Sequence, residues 1–188
     1  AGKVFLLADE ITYKVAGERV KTMLESAGIV CVCSILDECS EPDEKSVGSA
    51  IMHYDALCDL IVAVGSGVVN DIGKIVATTA NKPYIIVGTA PSMDGYASAT
   101  SSMTMEGLKI SLNSKCADVI IGDIDVLCAA AVCLINGSVK GGAIYVKSKL
   151  IEIFLDKLGF FQAHGYLFLQ NHISLYFIIF YPFCQCQN

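Results

Sequence analysis

Two stretches of this chain carry residue types that can hold a phosphorylated ligand. They are Gly65-Ser66-Gly67-Val68-Val69-Asn70-Asp71 and Thr89-Ala90-Pro91-Ser92-Met93-Asp94-Gly95-Tyr96-Ala97-Ser98. Glycines let the backbone approach a bulky anion, and the free amides at the start of a following helix supply donors and a partial positive charge. Asp94 could accept hydrogen bonds from substrate hydroxyls, although Asp94-Gly95 is also a good turn dipeptide. Asp71 could equally be a first-turn acid that satisfies helix amides. Ser92 and Ser98 could cap a helix or turn, and Thr89 could simply end its strand.

A glycine turn becomes a phosphate site only when a strand precedes it and a helix follows. Cys58 to Val64 is an apolar run that reads as a buried strand, and Ile72 to Ala77 reads as a helix. Before them, residues 3–8 read as a first strand ending at Asp9. Residues 12–27 carry Val15, Val20, Leu24 and Ala27 near helical spacing, with Gly28 as a stop signal. Residues 29–36 read as a second strand. Glu41-Pro42-Asp43-Glu44 opens a second helix that runs to about Leu57. The third strand covers 58–64, and the helix after the glycine turn reaches about Ala80. A turn at 81–83 leads to a fourth strand at 84–87.

Strands alternating with helices of this length predict βαβ units and a mainly parallel sheet. Ligands of open α/β sheets sit beyond the carboxyl ends of the strands. Asp9, Gly65 to Asp71 and Thr89 to Asp94 all fall at such ends, so three strands deliver polar or glycine residues to one edge. The alternating residues 101–112 predict a β-hairpin outside the main sheet, turning at Glu106-Gly107. A last strand covers 118–123, and helix resumes from Val126 to Leu134.

Composition bounds the function. The 188 residues are 54% hydrophobic and 17% charged, which excludes a disordered chain. A net charge of −6 excludes nucleic acid as a partner, because phosphate backbones need a basic face. The nine cysteines and the lack of a secretory h-region predict buried free thiols and a cytoplasmic protein. Cys31/Cys33 and Cys184/Cys186 are C-x-C pairs, not the C-x-x-C pairs of a zinc site. Lys74, Lys109 and Lys115 read as solvated or snorkelling side chains, and His53 as surface or packing. His164 and His172, eight residues apart without a partnered acid, make no metal site. Met103 and Met105 read as hairpin packing.

Residues 140–158 could form one helix with an apolar stripe. Past Gly159 the chain turns aromatic and apolar, yet Gln170, Asn171, His172 and Ser174 interrupt any membrane helix, which needs about 20 apolar residues. No membrane partner is expected.

The glycine turn together with Thr89 to Ser98 resembles the sn-glycerol-1-phosphate dehydrogenases, within the superfamily of iron-containing alcohol dehydrogenases and dehydroquinate synthases. The resemblance covers about residues 3–130, including Asp123-Ile124-Asp125-Val126-Leu127. It implies an α/β, Rossmann-like parallel sheet with flanking helices and an extra β-hairpin, followed by a truncated helical segment. The implied organisation is a dinucleotide domain at 1–125, the start of a helical metal and substrate domain at 126–158, and an atypical hydrophobic tail at 159–188. It also implies hydride transfer between NAD or NADP and dihydroxyacetone phosphate or glycerol 1-phosphate, a small phosphorylated polyol. A divalent metal (Zn, Ni or Fe) and a homodimer are further implications.

Carried over by position, Gly65 and Gly67 to Asp71 (Val68, Val69 and Asn70 included) hold the dinucleotide pyrophosphate. Thr89, Ala90, Pro91, Ser92 and Ser98 line the cofactor, Asp94 touches the substrate, and Asp9 contacts the adenosine ribose. An acid there favours NAD by repelling a 2′-phosphate. Where the family places its first metal ligand, an Asp, residues 135–142 carry no carboxylate, and the catalytic and metal residues are not assigned. The expectation is a cofactor half without a metal half, inactive by itself, in which residues 135–188 are either a genuine end or the product of a broken reading frame. The alternatives are another polyol dehydrogenase of the superfamily and a non-catalytic nucleotide-binding fragment.

Overall fold

The computed structural model describes residues 1–37, 40–91, 93, 95–134, 166–171 and 175–180. Strand β1 (Lys3–Asp9) leads into α1 (Glu10–Thr12), which continues through a π-turn at Tyr13–Gly17 into α2 (Glu18–Ser26). Strand β2 (Val30–Leu36), α3 (Glu44–His53), β3 (Leu60–Gly65), α4 (Gly67–Ala80) and β4 (Tyr84–Gly88) follow. A 3₁₀ turn at Gly95–Ala97 precedes β5 (Thr100–Met105) and β6 (Leu108–Asn113). Then come β7 (Val119–Asp123), α5 (Ile124–Leu134), β8 (Tyr166–Asn171) and β9 (Leu175–Phe180).

The main sheet has the order β2-β1-β3-β4-β7-β9-β8. The first five strands run parallel, while β9 is antiparallel to β7 and β8 to β9. The parallel strands therefore form the expected Rossmann-like layer. From β1 the chain steps outward one way to β2, then returns to β3 on the other side of β1. That reversal leaves a crevice beyond the carboxyl ends of β1 and β3, the usual ligand position of such sheets.

Both faces of the parallel strands are covered, which explains their continuous apolar runs. Phe5, Leu7, Ile61, Ile72, Ile86 and Ile120 are fully buried on the α3/α4 face. Val4, Leu6, Ala8, Val62 and Val64 pack with Ala16, Val20 and Leu24 on the other. Burying each large aliphatic side chain contributes about 1.5–3 kcal/mol, so the sheet is a rigid platform for its loops.

Four helix boundaries differ from the sequence reading, each because of a cap or a packed ring. The first helix starts at Glu10 rather than Thr12, since the Asp9 carboxylate accepts from the Thr12 N–H at 2.6 Å. The second starts at Glu44, capped by Asp43, which accepts from Ser46 N–H at 2.8 Å. It ends at His53, not Leu57, because Tyr54 turns extended and sets its ring edge-on to Phe5 at 5.3 Å. Helix α5 begins at Ile124, two residues earlier than read, with Asp123 accepting from the N–H groups of Asp125 (2.9 Å) and Val126 (3.3 Å).

The hairpin forms its own two-stranded sheet, as read. Glu106 and Gly107 both have positive φ (51° and 79°), the backbone of a two-residue type I′ turn. The aromatic run at 166–180 contributes two strands, β8 and β9, consistent with the strand preference of its aromatic and β-branched residues. Among the described residues no helix is long and apolar enough to cross a membrane. The helix expected at 140–158 lies outside the described residues, as do His164, His172, Cys184 and Cys186. Of the described cysteines, Cys58 is buried, and Cys31 and Cys33 are half-buried free thiols. Burial pushes all three thiols up from their ordinary pKa.

Candidate functional site at the carboxyl ends of β1, β2 and β3

A cleft of about 240 Å³ opens at the sheet's reversal point, lined by Asp9, Thr12, Asp37, Ser40, Ser66 and Val68 among others. Its floor is the turn from β3 into α4. The Ser66 side chain makes no capping bond to that helix, and the helical ladder begins with Asn70 N–H donating to Ser66 O at 3.0 Å. The amides of Gly67, Val68 and Val69 precede this first bond and have no partner among the described residues, and Val68 and Val69 line the cleft. A 14-residue helix adds its dipole to them.

Glycine is required at this turn by close approach. A Cβ on Gly65 would stand 2.5 Å from Val69 Cβ, and one on Gly67 would stand 2.3 Å from Met93 Cε. The first contact would force the helix off the strand. The second shows that the side chain of Met93, from the second motif, rests on the glycine turn of the first.

The walls differ in charge from the floor. Asp9 and Asp37 stand at the ends of adjacent strands β1 and β2. Asp9 spends one carboxylate oxygen on its cap, and its own N–H donates to Thr12 Oγ1 at 3.2 Å. Thr12 in turn donates to Val64 O at 2.8 Å, which locks α1 to β3. Asp37 is exposed. An amide-lined floor beside carboxylates suits a ligand with an anionic group at one end and a diol at the other, since a carboxylate accepts from hydroxyls and repels phosphate.

The sequence reading missed Asp37 and Ser40. The usual rule looks for an acid about 20 residues after the glycine turn. Here the turn follows β3, so the acid precedes it in the chain and is found only by asking what ends β2. A second groove of about 340 Å³ continues from Asp37 and Ser40 past Asp43, Ser46 and Ser49.

The second motif folds against the first. Thr89 is buried, and its N–H donates to Gly65 O at 3.1 Å. Pro91 is buried and Ala90 half-buried. The fully buried Tyr96 hydroxyl accepts from Ala90 N–H at 3.3 Å and lies 3.2 Å from the carbonyl oxygens of Gly65 and Ala90. Burial pushes this phenol up to about 12. Ser98 bonds locally, its hydroxyl 2.8 Å from Thr100 Oγ1. Ser92 and Asp94 lie outside the described residues.

Asn70 and Asp71 are engaged elsewhere than the cleft. Asn70 is 1% exposed, donates through Nδ2 to Gly95 O at 3.1 Å, and accepts from Tyr84 O–H at 3.2 Å. Asp71 Oδ1 is 3.0 Å from Lys74 Nζ. The reading of Lys74 as solvated is corrected: it is 0% exposed, because its three protons meet Asp71 Oδ1, Gly95 O and Thr100 O. Lys109 is exposed on β6, Lys115 donates to Lys82 O at 3.2 Å, and His53 is exposed at the end of α3. Met103 is buried in the hairpin, as read, whereas Met105 is 38% exposed.

A dinucleotide fits the cleft, by the helix-start amides of Gly67, Val68 and Val69 that have no partner among the described residues. A metal does not: no three His, Cys, Asp or Glu side chains gather among the described residues.

An open sheet with a glycine-turned helix at its reversal point defines a Rossmann-like α/β protein. Residues 1–131 match the family model described as "Iron-containing alcohol dehydrogenase", and the chain belongs to that family. It is 31% identical over 131 residues to the glycerol-1-phosphate dehydrogenase [NAD(P)+] of Bacillus subtilis, covering 68% of this chain and 33% of that protein. The Methanosarcina barkeri protein of the same name is 30% identical over 129 residues, covering 69% and 36%. Among solved structures, an iron-containing alcohol dehydrogenase from Thermotoga maritima superposes with a TM-score of 0.61 at 18% identity, covering 69% of this chain and 42% of that one. Glycerol dehydrogenase from Schizosaccharomyces pombe gives 0.59 at 22%, covering 68% and 33%. The chain spans about a third of the length of the curated relatives it matches.

Proposed function

We propose that this chain is the nucleotide-binding part of an NAD(P)-dependent oxidoreductase of the sn-glycerol-1-phosphate dehydrogenase type. The observation that carries the reading is the uncapped first turn of α4, with the amides of Gly67, Val68 and Val69 at the sheet's reversal point beside Asp9 and Asp37. In this reading the amides hold the pyrophosphate, and Gly65 and Gly67 give the backbone its close approach. Asp37, with Asp9 behind it, accepts from the adenosine ribose hydroxyls. Thr89, Ala90 and Pro91 form the wall against Gly65 toward the nicotinamide end. Asn70 and Asp71 contribute by fixing the helix rather than by touching phosphate. The cofactor supplies the hydride chemistry and the protein its orientation.

The names of the relatives support glycerol 1-phosphate as substrate; in this reading dihydroxyacetone phosphate is its oxidised counterpart and Asp94 its contact. No step is routed through a metal, since the described residues offer no ligand set. Fluorescence titration of the purified chain with NADH tests the reading, beside a Gly67→Trp control whose side chain drives Met93 off the glycine turn. Saturable binding, lost in the control, is expected. A folded chain that leaves NADH fluorescence unchanged would refute the assignment. Turnover of glycerol 1-phosphate, with and without added divalent metal, separates a dehydrogenase from a nucleotide-binding domain alone.

A further inference from the structure

Two side chains of α4 converge on one atom of the second motif, the carbonyl oxygen of Gly95. It accepts from Asn70 Nδ2 at 3.1 Å, from Lys74 Nζ at 3.3 Å and from Ser98 N–H at 3.3 Å. Asn70 and Lys74 are one turn apart on α4 and are 1% and 0% exposed. Lys74 reaches further, to Thr100 O, and its charge is balanced by Asp71 Oδ1 at 3.0 Å. Buried lysines are rare unless paired, and a packed helix face does not need one here. What the ammonium gains over an apolar side chain is three directed bonds, one to its own helix and two to the segment 95–100.

We propose that Lys74, with Asp71 and Asn70, is a positioning device that holds residues 95–100 in register on the phosphate-cradle helix. The inference rests on the nucleotide reading above for its purpose, but not for its geometry. Asp71 sets the ammonium's position, the ammonium and the Asn70 amide fix Gly95 and Thr100, and Met93 and Tyr96 then lie against the glycine turn. Nucleotide arriving at the amides of Gly67 to Val69 finds its second wall already formed. A ligand whose site is formed only a tenth of the time binds about tenfold more weakly, which is the gain such a clamp secures.

Amide hydrogen exchange tests the device on the full chain. In the unaltered protein, amides of 96–100 should be protected to the same degree as those of 72–80 in α4. Exchange at open-loop rates there would overturn the proposal whatever any variant does. Lys74→Met strands a carboxylate and could unfold the chain, so the paired variant Asp71→Asn/Lys74→Met removes both charges together. It should keep its helical circular dichroism and α4 protection, exchange at least about tenfold faster over 96–100, and bind NADH about tenfold more weakly. NADH should protect 96–100 in the variant far more than in the parent, because binding now does the ordering. A folded paired variant with parental exchange over 96–100 would sink the idea. Failure of the parent to bind NADH would instead sink the nucleotide reading, while the exchange result still judges the clamp.

Discussion

Asp37 and Asp9 divide work that one carboxylate could not do. Asp9 is held at 2.6 Å to the Thr12 amide and serves as the cap of α1, whereas Asp37 is exposed at the cleft wall. On the proposed reading, this exposed acid after β2 accepts from both ribose hydroxyls and repels a 2′-phosphate. Asp37→Ala is therefore expected to narrow any preference for NADH over NADPH by roughly tenfold, the effect of about 1.4 kcal/mol of lost repulsion. Competitive titration of the two cofactors reads it. An unchanged ratio would move the ribose contact to Asp9. Glycine at 65 is equally specific, since the Cβ of Gly65→Ala would collide with Val69 at 2.5 Å. That substitution should cost roughly 1–3 kcal/mol in urea unfolding, as overpacking does.

At the scale of elements, helix starts are set by carboxylates. Asp43 caps α3, and the Ser46 amide bonded to it holds its carboxyl below the ordinary range. Asp59 does the same for the chain's first strand, held low by the amides of Gly2 and Lys3. A depressed folded pKa gives stability that is complete above the ordinary carboxylate value of about 4 and is lost as pH falls below it. Urea midpoints measured from pH 6 to pH 2.5 should stay level and then drop below about pH 4. Asp43→Ala should lose about 1 kcal/mol at neutral pH through the missing cap and show a shallower acid drop. Asp123 performs the same task for α5 while pairing with Arg19, which ties α2 to the start of α5.

For the whole molecule, the buried phenols of Tyr84 and Tyr96 report on global integrity. Both are fully buried, one beneath α4 and one beneath the glycine turn. Burial raises Tyr96 to about 12 and Tyr84 well above its ordinary value of 10. A raised folded pKa means the stability is fully present below pH 10 and is lost as pH climbs through 12. Two pKa units on Tyr96 amount to about 3 kcal/mol. Ultraviolet titration should show these two phenols ionising late and together with loss of helical circular dichroism. Ionisation near pH 10 in a folded chain would contradict the packing.

Local chemistry determined much of this protein in advance. Apolar runs bounded by turn residues marked the parallel strands, Glu106-Gly107 marked the hairpin turn, and the glycine turn marked the start of α4. All of these rest on contacts within a few residues. Long-range pairing decided the rest. Only the strand order brings β1, β2 and β3 to one crevice, and so puts Asp37, 28 residues earlier in the chain than Gly65, into the same cleft. Only the docking of residues 95–100 on α4 turns Lys74 inward, because a lysine's burial depends on whether distant carbonyls can meet its three protons. Sequence patterning records the period and ends of each element, while the partners of a polar side chain are fixed when those elements pack.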